Sequence, residues 1–141
     1  MENKRYKPLI DKYFYIIWII MTIILLPLTI ISIVYPAGFI ILILTDIFCY
    51  YFMVSSLVAY VELKEDTLYI KFGFIMKREI PYNKIRSLEK EKRIITYSML
   101  SIKNALEHIN LKYNKYDMVT ISLKNNDEFI KEVNEKILKN K

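Results

Sequence analysis

The chain has 141 residues, 54% of them hydrophobic, and its 21 Lys and Arg against 15 Asp and Glu give a formal charge of +6. One cysteine excludes an internal disulfide framework, and one histidine beside that cysteine excludes a His/Cys metal cluster. Two glycines in all exclude a glycine-rich phosphate loop.

Apolar residues are unevenly spread. No charge occurs from Tyr13 to Thr45, whereas charges recur every few positions from Val61 onward. This predicts two regions, a membrane anchor over 1–60 and a cytoplasmic domain over 61–141. Lys4, Arg5, Lys7 and Lys12 come first, ahead of an apolar run from 13 to 34. A helix rises about 1.5 Å per residue, so such a run crosses a hydrocarbon core of about 30 Å. Tyr35-Pro36-Ala37-Gly38 reads as a turn. A second run, 39–60, is broken only by Asp46. Two spans joined by so short a turn form an antiparallel hairpin, with every backbone group bonded inside its own helix.

Positive charge sets the orientation. The connecting turn has no Lys or Arg, while Lys64, Lys71, Lys77 and Arg78 follow the second span. The positive-inside bias therefore predicts a multi-pass protein of the cell membrane with both termini cytoplasmic. Tyr13, Tyr15 and Trp18 at one end and Tyr35 at the other suit an aromatic belt. A cleaved signal peptide is the competing reading. The apolar run is too long for one, and a second span follows directly.

Two residues stand out inside the hairpin. Pro27 removes the helical hydrogen bond to the carbonyl of Ile23. Asp46 falls level with Pro27 when the chain is folded about residues 36 and 37. An acid at that depth is costly and is a functional candidate. In a structural role its neutral form donates to the freed carbonyl, to Thr22 or to Thr29, and so locks the hairpin. In a functional role it meets a ligand or another membrane protein. Cys49 reads as a small apolar filler.

Beyond residue 60 the pattern turns strand-like. Alternating segments run over 61–64, 67–72, 74–80, 85–95, 108–113 and 118–123, separated by Glu65-Asp66, Gly73, Pro81 and Asn114-Lys115. Asn125-Asn126-Asp127-Glu128 then reads as a helix cap followed by acids. Phe129, Ile130, Val133 and Ile137 recur at helical spacing. The predicted class is α+β: an N-terminal two-helix transmembrane hairpin, then an antiparallel β-barrel or roll capped by a C-terminal amphipathic helix.

Several of these segments carry a family resemblance. They are Leu68-Tyr69-Ile70-Lys71-Phe72-Gly73, Ile80-Pro81-Tyr82-Asn83-Lys84-Ile85, Leu100-Ser101, Ile109-Asn110-Leu111-Lys112-Tyr113, Ile121-Ser122 and Asp127-Glu128-Phe129-Ile130. In that order they resemble the bacterial PH-domain family typified by small Bacillus membrane proteins. Leu123 departs from the proline expected after Ile-Ser. The resemblance implies a PH-like domain over roughly 60–140. It also implies self-immunity: a membrane-anchored protein that shields a bacteriocin producer by binding the peptide or its membrane target. The alternative is a PH-like scaffold or regulator that binds a cytoplasmic partner or anionic lipid.

Catalysis is not expected. His108, placed at a strand end and partly exposed, has no Ser/Asp partners in view, and Asp127-Glu128 reads as helix-start charge rather than an acid/base pair. No catalytic, cofactor-binding or metal-binding residue is assigned, and no cofactor. Lys77, Arg78, Lys84, Arg86, Lys90, Lys92 and Arg93 cluster within seventeen positions, interleaved with Glu79, Glu89 and Glu91. They form either a solvated strand face or a surface lying on an anionic bilayer. Mixed signs and the lack of a recognition motif argue against nucleic acid. Expected partners are the lipid bilayer and a bacteriocin peptide or its target.

Overall fold

A computed structural model describes residues 4–34, 38–98 and 100–140. The predicted turn at 35–38 therefore lies outside the described residues except for Gly38. Helix α1 spans Lys12–Val34 and helix α2 spans Phe39–Val58. Both are long and apolar enough to cross a membrane. They pack side by side, with most of their large side chains exposed (Ile23 65%, Ile40 73%). The second helix stops two residues before the predicted limit: Ala59 is already extended (φ −63°, ψ 151°), and Tyr60 opens a strand.

The rest of the chain forms two four-stranded sheets. In the first, β1 (Lys4–Tyr6), β2 (Tyr60–Leu63), β3 (Thr67–Phe72) and β4 (Met76–Pro81) lie in that order, all antiparallel. In the second, β5 (Ile85–Lys92), β7 (Glu107–Tyr113), β8 (Asp117–Ile121) and β6 (Leu100–Ile102) lie in that spatial order. Strand β6 pairs with β8 in parallel, so the second sheet is not the wholly antiparallel meander expected.

The sheets do not close into a barrel, which corrects the barrel half of the prediction. The break falls where Pro81 offers no N–H and Tyr82–Lys84 wind into a short 3-10 helix, with a register shift between Ile85 and Ser87 just beyond. Gly73–Ile75 form a turn, so β4 starts two residues later than predicted.

Strand β1 belongs to the domain's sheet, although residues 1–60 were predicted to be anchor alone. Arg5 faces Glu62, and Arg5 Nε donates to Glu62 Oε2 at 2.8 Å. Lys4 Nζ reaches Glu128 Oε1 at 2.6 Å and also pairs with Glu132, both on helix α3 (Asn126–Lys139). Tyr6 is buried and meets Phe129 edge-to-face, ring centroids 5.2 Å apart. Burial raises the Tyr6 hydroxyl to about 12.

The core is the space between the sheets and α3. Leu68, Ile70, Ile109, Leu111, Ile121 and Phe129 are all fully buried there. The start of α3 differs from the predicted cap. Asn125 makes no side-chain cap bond. Buried Asn126 instead accepts from Leu123 N at 3.0 Å through Oδ1 and donates to Glu107 Oε1 at 3.1 Å through Nδ2.

Candidate functional site

Two places collect polar groups that the core does not need: the seam of the hairpin, and the end of the domain that abuts the helices. In the seam, the Thr29 hydroxyl is shared between its own helix and the other. It lies 3.0 Å from the Leu25 carbonyl and 2.5 Å from Asp46 Oδ2. Back-bonding of this kind is what a helix interior imposes on threonine, and here it aims the hydroxyl across the seam. Tyr50 donates to Thr22 Oγ1 at 3.1 Å, two turns earlier in α1. Asp46 Oδ1 is buried without a hydrogen-bond partner among the described residues. Pro27 lies within α1 two residues before Thr29, and the seam contact is made by Thr29.

This geometry sets an expected result. Asp46→Leu loosens the hairpin by about 0.6–2 kcal/mol, the usual range for an interhelical hydrogen bond in lipid. Asp46→Asn keeps most of the contact. Combining Asp46→Leu with Thr29→Val costs little more than either change alone. Thermal unfolding in detergent measures all three, and fully additive losses would show that the pair is not coupled.

At the other end the hairpin is clasped to the domain through both helices. Asp11 is the hub on the α1 side. Its Oδ1 accepts from Tyr13 N at 2.7 Å, and its Oδ2 accepts from Leu106 N at 3.0 Å. Its own N–H donates to the Asn104 carbonyl at 3.0 Å. Asn104 Nδ2 then donates to the Ser56 carbonyl at 3.0 Å, which brings in the last turn of α2. Asp11 and Asn104 were not singled out in the sequence. Their signal is faint: an Asp just ahead of a helix is an ordinary cap.

The basic residues fall on β4, the 3-10 turn and β5. Pairing divides them. Phe72 faces Met76, so Lys77 and Arg78 sit at the hairpin end of β4. Lys92 faces Glu107, next to the segment that binds Asp11, so Lys92 and Arg93 sit at the hairpin end of β5. Ile85 faces Tyr113, which puts Lys84 and Arg86 at the far end, about 20 Å away by strand length. There Arg86 donates to the Lys115 carbonyl at 2.8 Å.

Lys90 is engaged between Glu107 at 3.1 Å and Asp127 at 2.9 Å. Asp127 first, then Glu107, raises the Lys90 ammonium above its ordinary value. Glu107 is held low, first by Asn126 and then by Lys90. His108 is fully buried rather than partly exposed. One ring nitrogen, Nδ1, lies 2.9 Å from the Leu106 carbonyl, and the other, Nε2, comes no nearer than 3.9 Å to Glu91. Among the described residues no three His, Cys, Asp or Glu side chains gather as a metal site would need.

The bacterial PH-domain family profile matches residues 59–137, more than half of the chain. The chain belongs to the bacterial PH-domain family. No curated protein and no solved structure matches it. The PH domain so defined takes in β2 through most of α3. Strand β1 and the helical hairpin precede the match, yet β1 completes the PH domain's first sheet.

Proposed function

We propose that this PH-domain protein is a membrane-anchored, non-catalytic binding protein that gives a bacteriocin producer immunity to its own peptide. The hairpin crosses the cell membrane twice with both termini in the cytoplasm. The PH domain rests against the inner face and engages the peptide or the membrane component it attacks. The observation that carries this reading is the clasp. Asp11, Asn104 and Ser56 fix the domain to the ends of both helices. A binding surface is thereby held at the level of the bilayer, where a membrane-active peptide works. Positive charge on both flanks of the hairpin supports the orientation.

Expression of the full chain in a sensitive strain tests the idea. Survival rises on exposure to the cognate peptide, and killing curves that overlay those of the empty vector reject immunity.

A scaffold or regulator is the second reading, favoured by β4. This strand ends its sheet, and residues 76–79 are exposed, which suits strand addition by a cytoplasmic partner. Crosslinking in membranes followed by purification then yields one dominant soluble protein. Recovery of lipid alone counts against it.

A further inference from the structure

Outside the two long helices, eight large apolar side chains are exposed among the described residues, and six of them lie at just two tips. Phe74 and Ile75 of the β3–β4 turn and Met76, the first residue of β4, are 53%, 76% and 49% exposed. Ile94, Ile95 and Tyr97 occupy the segment after β5, at 82%, 75% and 79%. Exposed apolar residues scattered singly are ordinary, but six gathered at one end of a domain are not.

The turns belong to different sheets, yet both reach the hairpin. The Phe74 ring lies 6.0 Å from that of Tyr51. Tyr51 precedes the end of α2 by seven residues, so Phe74 stands about 10 Å along the helix from its domain end. Ile94 lines a cavity of about 300 Å³ together with Tyr13, Phe14, Ile16 and Ile17 of α1. One tip therefore stands beside each helix.

Each tip is also held firmly. Gly73 packs on Ser55. Thr120 spends its one hydroxyl proton on Asn110 Oδ1 at 2.8 Å, so Thr96, 2.6 Å away, donates to Thr120 and turns inward while Ile95 and Tyr97 turn out. Lys103 Nζ donates to the Arg93 carbonyl at 2.5 Å and also to that of Ile94. Burial lowers the Lys103 pKa. Finally, each tip adjoins a pair of exposed cations, Lys77-Arg78 after the first and Lys92-Arg93 before the second.

We propose that both tips are seated in the bilayer interface beside the hairpin, with Lys77, Arg78, Lys92 and Arg93 on anionic lipid headgroups. The occupant is lipid because the tips continue a surface that lipid covers. Ile16, Ile17 and Phe52 on the adjoining helix turns are 47%, 56% and 54% exposed, so whatever coats those faces meets the tips as well. Apolar and aromatic side chains at the rim of the hydrocarbon, with cations just outside it, are the makeup of an interfacial anchor. Lys84 and Arg86, at the far end, take no part. The inference rests on the reading that the hairpin crosses the membrane.

Lipid quenching separates the two. The full chain carrying Cys49→Ala is placed in nanodiscs that contain phosphatidylglycerol. One cysteine is introduced at a time by Ile75→Cys, Ile95→Cys, Phe48→Cys or Tyr116→Cys and labelled with an environment-sensitive dye. Tyr116, 85% exposed on the far β7–β8 turn, is the control that faces water. Spin-labelled lipid removes most of the emission at 48, 75 and 95 and little at 116. Quenching at 48 with tips as bright as 116 overturns the seating and leaves the hairpin reading intact. No quenching at 48 overturns the hairpin reading itself. Blue-shifted tips that lipid fails to quench mean that a protein covers them, which also overturns the proposal. Replacing phosphatidylglycerol with a zwitterionic lipid weakens quenching at 75 and 95 but not at 48, and an unchanged value rejects the headgroup role.

Discussion

Phe129→Ala removes about 3–5 kcal/mol from the stability of the PH domain, the range for deleting a fully buried aromatic side chain. Whole domains are stable by only about 5–15 kcal/mol, so this one change brings the domain close to unfolding. Phe129 is 0% exposed, sits in the first turn of α3 and meets Tyr6 edge-to-face at 5.2 Å. Its loss opens a cavity against both α3 and β1. Leu138→Ala, on the same helix but 72% exposed, changes stability by about 0.5 kcal/mol or less. The only tryptophan, Trp18, lies in α1 and does not report on the domain. Amide exchange in β7 and β8 is the suitable measurement. Protection equal to that of the parent chain would mean that α3 is not docked by this ring.

Gly73→Ala lifts the β3–β4 turn of the PH domain from the hairpin. Gly73 has φ +97°, a conformation that strains any side chain by about 1–3 kcal/mol. The added Cβ also lands 2.5 Å from Ser55 Cβ and 3.0 Å from Ser55 Cα. The second contact is backbone, so no rotamer change relieves it, and the β3–β4 turn must lift from α2. Two companions isolate the causes. Ser55→Gly in the same chain removes the contacts with Cβ and Oγ and restores part of the loss. Gly38→Ala, at φ +122° with nothing within 4 Å of the added carbon, meets backbone strain alone and costs less. Faster amide exchange through β3 and β4, and new protease cleavage at Phe74, are the expected signs. A Gly73→Ala protein as protected as the parent would show that the turn does not seat on α2.

The two helices were legible because a run free of charge over 13–45 has few other uses in a chain this size. Most strands were legible from alternation. Strand β1 was not. Lys4-Arg5-Tyr6 is three residues with no apolar period, and it becomes a strand only because Leu63, Glu62 and Val61 lie opposite. Strand β6 is as short and takes its meaning from β8. His108 was misplaced for a related reason: Leu106 and Glu91, which border its ring, belong to the chain before β7 and to a strand across the sheet. The basic residues could be named from the sequence. That the strands bring Lys77, Arg78, Lys92 and Arg93 to one end of the domain and leave Lys84 and Arg86 at the other could not, because it depends on which way each strand runs against a distant partner.

The pairing of β1 with β2 has a mechanical consequence. The hairpin is in effect a long insertion between two neighbouring strands, leaving the domain after Asp11, whose N–H still bonds to Asn104, and returning at Tyr60. A domain on one tether can spin about it; one gripped by two parallel stalks cannot. Any tilt or scissoring of α1 against α2 therefore reaches the second sheet through Asp11 and the first through Tyr60. Whatever tilts the two helices, both sheets feel directly.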